Sequence, residues 1–262
     1  MKKVFFFDID GTLAISHHVP ENNIKALQRL KALGYDTFIC TGRAPFYAQK
    51  LFGDLVSGYI CCNGRYILYH DQKFHGEAFT AEELTAYLSQ FDSLNLGALL
   101  VSDHYSMAYG LTDEEIEAMK QEYGQDHISS YDPLQPVYTF DLFYRQRDNR
   151  DKMIAHFQDQ LIINDHHGCG HCDCSTLNYD KGHAIAYILQ YFQLSSNQAY
   201  AFGDGYNDQA MFREAGHCIA MKNAVKELKA KATYITAAVD DDGITKALQH
   251  FGIIEKKEDI QS

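Results

Sequence analysis

The sequence predicts an α/β fold: a Rossmann-like, doubly wound parallel-sheet core over residues 1–79 and 180–262, with an α+β cap domain inserted over 80–179. Three observations carry that expectation. Strand and helix patterns alternate as far as Cys62. The same alternation resumes after residue 180, the rhythm of an open α/β sheet whose two halves are separated in the chain. Charge divides at the same places: Thr80 to Asp180 carries 18 Asp/Glu against 5 Lys/Arg, and the remainder 17 against 18.

Taken in order, Val4–Ile9 is an almost unbroken apolar and aromatic run, as expected of a strand buried on both faces of a parallel sheet. Pro20 opens a helix with Ile24, Leu27, Leu30 and Leu33 at helical spacing, stopped by Gly34. Thr37–Cys40 is a second strand, Phe46–Leu51 a second helix and Tyr59–Cys62 a third strand. In the middle segment, Thr80-x-x-Glu83 and Thr112-x-x-Glu115 have the spacing of capping boxes, each opening a helix. Leu96–Val101, Tyr105–Tyr109, Val137–Tyr144, Leu161–Ile163 and Cys172–Leu177 read as strands. After 180, Ala184, Ile185, Ile188, Leu189 and Phe192 form one helix face. Ala199–Phe202 and Cys218–Ala220 are strands, with helices around Ala210–Met211 and Val225–Leu228.

The composition narrows the function. At 46% hydrophobic and 22% charged residues the chain is of ordinary globular make-up. Its net charge of −12 argues against nucleic acid, whose phosphates need a basic surface. No apolar run approaches the ~20 residues of a membrane helix, and Asp8 interrupts the first apolar run too early for a secretory signal. Seven cysteines, two of them the adjacent Cys61 and Cys62, do not form a disulfide framework. A reduced, cytoplasmic protein is expected.

The carboxylates point to chemistry. Asp8-Ile-Asp10-Gly11-Thr12 lies at the carboxyl end of the first strand, where open α/β sheets bind ligands. Two carboxylates so close repel, so something positive belongs beside them. Gly203-Asp204-Gly205-Tyr206-Asn207-Asp208 follows another strand, and its clustered acids suit a hard cation such as Mg²⁺ together with a substrate phosphate. Thr41-Gly42 offers a hydroxyl and an unhindered N–H at a strand end, and Lys181-Gly182 an ammonium at a helix start. Solvated turns and an exposed first-turn lysine are the plain alternatives for each taken alone.

Together, Asp8-x-Asp10-Gly-Thr, Thr41-Gly-Arg43, Lys181-Gly182 and Gly203-Asp204-Gly-Tyr-Asn207-Asp208 resemble, in this order, the four motifs of the haloacid dehalogenase-like superfamily. More narrowly the chain resembles the Cof-type phosphatases of that superfamily, which carry a large α+β cap between the second and third motifs. Asn63-Gly64 and the stretch from Ala220 to Ala224 match that subfamily as well. The resemblance implies a phosphatase acting on a small phosphorylated metabolite. Asp8 would be the nucleophile forming an aspartyl-phosphate, and Asp10 the general acid and base. Mg²⁺ would be held by Asp8, Asp204 and the Asp10 carbonyl, with Asp208 in support. Thr41, Gly42, Lys181 and Asn207 would bind the phosphoryl oxygens. The sequence leaves two rival classes, a phosphosugar mutase and a catalytically idle phosphometabolite-binding protein. Neither the substrate nor the oligomeric state is legible.

One departure stands at the end of the cap. His166-His167-Gly-Cys169-Gly-His171-Cys172-Asp-Cys174 holds a Cys-x-x-Cys among histidines, which could bind zinc or copper. There is no second ligand cluster, and alternation of Cys172, Cys174 and Thr176 equally fits a plain strand. His17 and His18 follow the first motif and read as a solvated loop.

Overall fold

Val4–Phe7 (β1) forms a strand with every side chain buried. Phe5 stacks on Tyr200 at 4.8 Å between ring centroids, Phe6 on Phe38 at 5.7 Å and Phe7 on Phe202 at 4.6 Å. A run of aromatics that alternates faces is held this way only where both faces are covered. The computed structural model describes residues 2–16, 18–165 and 170–255. The chain forms two units, one of Met1–Cys40, Leu51–Gly58 and Ile185–Ser262, the other of Thr41–Lys50 and Tyr59–Ala184.

In the first unit, β1 lies between Asp36–Cys40 (β2) and Ala199–Gly203 (β12), with His217–Ala220 (β13) and Tyr234–Ile235 (β14) beyond β12; all of these pairings are parallel. The helix Glu21–Ala32 (α1) connects β1 to β2 and buries Ala26, Leu27 and Leu30. It stops at Gly34, whose φ of +73° lets Tyr35 N–H return to Leu30 O. Gln209–Glu214 (α7) and Lys226–Lys229 (α8) are short, and Gly243–His250 (α9) was not visible in the pattern of the sequence. The first strand also ends earlier than its apolar run. Ile9 O accepts the N–H groups of Thr12, Leu13 and Ala14. The backbone therefore turns back at Ile9, with Gly11 at a φ of +85°.

The second unit contains Gly58–Cys61 (β3) in large part, the hairpin Tyr66–Tyr69 (β4) and Gln72–Gly76 (β5), and a six-stranded sheet. That sheet runs Leu161–Asp165 (β10), His171–Thr176 (β11), Thr139–Phe143 (β9), Gly97–Val101 (β6), Ser106–Tyr109 (β7) and Ile128–Ser130 (β8). Its pairings are antiparallel except β7 with β8. The predicted capping boxes of Thr80 and Thr112 are both formed, opening Ala81–Ser93 (α3) and Asp113–Tyr123 (α4). Leu84, Leu88 and Phe91 of α3, with Met153 and Phe157 of the helix Arg147–Phe157 (α5), pack on Ala98, Leu100, Phe140 and Leu142. The remaining helices are Pro45–Phe52 (α2) and Lys181–Phe192 (α6). No helix among the described residues is long and apolar enough to cross a membrane.

Candidate active site

The register of two strands places the first unit's carboxylates. Phe7 lies opposite Phe202 in the parallel pair β1–β12, and Asp8 N–H extends the ladder to Phe202 O at 3.0 Å. The loops after β1 and β12 therefore leave the sheet at the same edge. Carboxylate oxygens of Asp8, Asp204 and Asp208 lie within 4.8 Å of one another, the one such group of potential metal ligands among the described residues. Asp8 and Asp208 are buried, Asp204 half-buried and Asp10 exposed. The two aspartates of the first motif thus occupy different environments, because the turn at Ile9 separates them.

Each carboxylate has a fixed setting. Asp208 Oδ2 accepts N–H bonds from Asp204 and Gly205, both at 2.9 Å, so it closes its own loop. Asp204 Oδ1 accepts the Thr12 hydroxyl at 2.9 Å, and its Oδ2 accepts Asn223 Nδ2 at 3.2 Å. The same Asn223 amide donates to Gly11 O at 2.9 Å, tying the two loops together. Behind them Asn23 of α1, fully buried, donates to Leu13 O at 3.0 Å. Gly11 and Gly203 admit no side chain. A Cβ on Gly11 would strike the Asp204 carboxylate, and one on Gly203 would lie 2.6 Å from Asp208 Cβ.

This donor set fits a hard divalent cation. It is all oxygen, without cysteine or histidine, as Mg²⁺, Ca²⁺ and Mn²⁺ prefer. Three acids at this separation also repel unless a cation lies among them. The Thr12, Asn223 and backbone contacts orient the carboxylates from behind, as the outer contacts of metal ligands do. Asn207 lies in the same loop, half-buried.

The second unit holds the other candidate residues. Thr41 N–H bonds to Ile60 O at 2.8 Å, Asn63 N–H returns to Thr41 O at 3.1 Å, and Thr41 Oγ1 accepts Arg43 N–H at 3.1 Å. A Cβ on Gly42 would sit 3.1 Å from the Asn63 side-chain oxygen. Gly64, at a φ of +100°, passes so close to Asp180 O that only glycine fits. The Thr41–Gly42, Asn63–Gly64 and Asp180–Lys181 turns are therefore neighbours. Lys181 is 1% exposed, unlike the solvated first-turn lysine that was the plain alternative.

Of the Cys/His stretch, His166, His167 and Cys169 lie outside the described residues, as does His17. The described members divide between the two faces of β11. Cys172 and Cys174 enter the apolar core, with Sγ atoms 4.0 Å apart and Cys172 Sγ 3.9 Å from Met153 Sδ. His171, of opposite parity, stacks on Phe143 at 5.1 Å. Desolvation pushes the Cys174 thiol well up from its ordinary range, away from the thiolate a metal would need. Two contributors to the carboxylate cluster had no role assigned from the sequence, Thr12 and Asn223. Both stand inside quoted motif text, but their partner Asp204 is 192 and 19 positions away.

Comparison with known proteins places the chain in a family. A family model described as haloacid dehalogenase-like hydrolase matches residues 5–248. The 5-amino-6-(5-phospho-D-ribitylamino)uracil phosphatase YwtE of Bacillus subtilis (strain 168) is 27% identical over 277 residues, covering 92% of this chain and 95% of that protein. A solved HAD subclass IIB sugar phosphatase is similar at a TM-score of 0.79 and 28% identity, covering 97% of this chain and 100% of that one. A structure from work on a trigonal-bipyramidal intermediate in a phosphoryl-transfer superfamily is similar at 0.79 and 27% identity, over the same 97% and 100%. With the motifs in order, the parallel sheet and the carboxylates at its edge, the chain belongs to the haloacid dehalogenase-like hydrolases, among the Cof-type phosphatases.

Proposed function

We propose that the protein is a Mg²⁺-dependent phosphatase that hydrolyses a small phosphorylated metabolite, a monoester of sugar-phosphate type, through an aspartyl-phosphate. The observation that carries this reading is the cluster of Asp8, Asp204 and Asp208, whose carboxylate oxygens lie within 4.8 Å of one another. Asp8, Asp204 and the Asp10 carbonyl would hold the ion, supported by Asp208. When bound, Mg²⁺ offsets the charge repulsion between a carboxylate nucleophile and a phosphate.

The protein's own groups carry the rest. An oxygen of the Asp8 carboxylate attacks phosphorus, and the bond from phosphorus to the ester oxygen breaks. Asp10 gives its proton to the departing alcohol. It then takes a proton from the water that attacks the phosphoryl group, which releases inorganic phosphate and frees Asp8. Exposure of Asp10 beside a buried Asp8 suits this division, since only the former must exchange protons with substrate and water. Thr41, Gly42, Lys181 and Asn207 are assigned to the phosphoryl oxygens.

Residues 80–179 are read as the cap that selects the leaving group. Their excess of acids, 17 against 5, disfavours nucleotides and bisphosphates and favours a neutral polyol. The named activities of the relatives, on a sugar phosphate and on a phosphoribityl compound, lie in that class. No nucleic acid or membrane partner is assigned, and the expected location is cytoplasmic.

A panel of phosphorylated metabolites with p-nitrophenyl phosphate, each with Mg²⁺ and with a chelator, tests the reading. Turnover that survives the chelator, or a best substrate that is a nucleoside triphosphate or a bisphosphate, overturns it. Asp8→Asn is expected to be inert. Asp10→Asn is expected to accumulate phosphoenzyme from p-nitrophenyl phosphate, whose leaving group needs no proton, and rapid-quench labelling reads that directly.

A further inference from the structure

Arg65 has no place in the chemistry above, yet it is buried, at 8% exposure. It follows Gly64 and precedes β4. Its guanidinium lies over the Phe79 ring at 4.2 Å and over the Tyr179 ring at 4.9 Å, both within cation–π range. Nη1 donates to Glu77 O at 3.0 Å and Nη2 to the Thr176 hydroxyl at 3.0 Å. Arg65 O in turn accepts Glu77 N–H at 2.8 Å. Glu77 and Phe79 belong to the segment that leads into α3, Thr176 ends β11, and Tyr179 belongs to the segment that leads from β11 into α6. One side chain therefore grips both crossings, with one ring and one hydrogen bond on each.

The site is not arranged for stability alone. Arg65 Nε is buried without an acceptor among the described residues. An unpaired donor on a buried cation opposes folding, and a well-packed apolar side chain in such a place is often as stable or more so. What an apolar side chain cannot supply is a planar fork that fixes two chains at once. The crossings also lead to functional candidates. Tyr179 is two residues before Lys181, and Gly64, next to Arg65, packs against Asp180 O.

We propose that Arg65 is a positioning residue for the phosphatase reaction, clasping the entering and leaving crossings of the inserted domain and, through Asp180, fixing where Lys181 stands. This inference rests on the phosphatase reading for its kinetic consequence but not for the clasp itself. Hinge positions of this kind lie outside the chemistry and change kcat and KM together.

The test compares the wild type with Arg65→Met, which keeps the apolar stem, Arg65→Lys, which keeps stem and charge, and Thr176→Val, which removes one bond of the clasp. Hydrogen–deuterium exchange and kinetics on p-nitrophenyl phosphate and a hexose phosphate with Mg²⁺ are measured on each. In Arg65→Met, exchange at residues 77–79 and 177–181 should rise about tenfold or more while the six-stranded sheet stays protected. Its kcat/KM should fall about tenfold to a hundredfold. Arg65→Lys should recover only a minor part of that loss, and Thr176→Val should show a smaller change in the same direction. Kinetic constants and local exchange within about twofold of wild type in Arg65→Met would overturn the proposal. So would exchange that rises evenly over the whole sheet, with activity falling only by the unfolded fraction. If Arg65→Met does not fold, the same two outcomes are read from Arg65→Lys and Thr176→Val. A wild type inert toward every phosphate ester refutes the phosphatase reading, and the exchange measurement then decides the clasp on its own.

Discussion

Thr12 donates its hydroxyl to Asp204 Oδ1 at 2.9 Å across 192 positions of sequence, and its side chain is fully buried. With the Asn223 amide on Oδ2, the bond holds the Asp204 carboxylate from both oxygens. Thr12→Val keeps the shape and removes the donor. Mg²⁺ affinity is expected to fall about 10–100-fold, the usual consequence of losing a contact behind a metal ligand. Isothermal titration with Mg²⁺ checks it, and an unchanged affinity would show that Asp204 needs no support from Thr12.

Asp208 should separate structure from charge. Asp208→Ala strands the N–H groups of Asp204 and Gly205. At about 1–3 kcal/mol for a fully buried unsatisfied group, and less for these half-buried ones, the loss for the pair should be about 1–3 kcal/mol. Asp208→Asn keeps an acceptor oxygen but no charge, so its stability should fall much less than its Mg²⁺ affinity. Denaturant titrations beside metal titrations would show the two variants ranked in opposite ways if the idea is wrong.

Glycine substitutions give a contrast between collision and backbone strain. A Cβ on Gly203 meets Asp208 at 2.6 Å, whereas one on Gly34 meets nothing within 4 Å but stands at a φ of +73°. Gly34→Ala should cost about 1–2 kcal/mol from left-handed strain and leave turnover intact. Gly203→Ala should cost a comparable or larger amount and abolish turnover, because it displaces a carboxylate of the cluster. Equal activities in the two variants would contradict the geometry.

The six described cysteines are buried, and none of them forms a disulfide. Burial pushes the Cys218 thiol up to about 11, and desolvation likewise raises Cys61, Cys62 and Cys174. Burial keeps the reagent from the thiols, so Ellman's reagent should find almost none of these six in folded Cys169→Ser and all of them after denaturation. The sign for stability follows. For Cys61, Cys62, Cys174 and Cys218 the unfolded thiols, near 8.5, lose protons before the folded ones. Their contribution is whole below that pH and is lost progressively as pH rises above about 8.5, the Cys218 share by about 11. Melting curves at pH 8, 9.5 and 10.5 should fall in that order.

Long apolar runs and capping residues were legible in the sequence, and hidden elements share a cause. The capping boxes at Thr80 and Thr112 are local, so four residues announce each helix. Helix α5 is preceded by Gln146, which makes no side-chain cap, and its buried residues Met153 and Phe157 come only in the second half. The β4–β5 hairpin turns through His70 and Asp71, both at positive φ without a glycine, so the usual turn signature is missing. At the site, the carboxylates were legible because charge at the end of an apolar strand is conspicuous. Thr12 and Asn223 were not, because a hydroxyl or amide declares its role only through the partner that folding brings to it.

The position of β1 inside its sheet has a consequence for how the chain is made. Val4 lies beside Asp36 on one side and Ala199 on the other. At about 5–20 residues per second on the ribosome, the second neighbour emerges roughly 10–40 s after the first strand. Throughout that interval Phe5, Phe6 and Phe7 sit on a strand with one unpaired edge, the kind of template on which nascent chains join one another. Such a chain depends on chaperones, or on a low concentration of nascent chains, in proportion to that delay. Moving residues 193–255 ahead of β1 by circular permutation would shorten the wait while leaving β12 as the neighbour of β1.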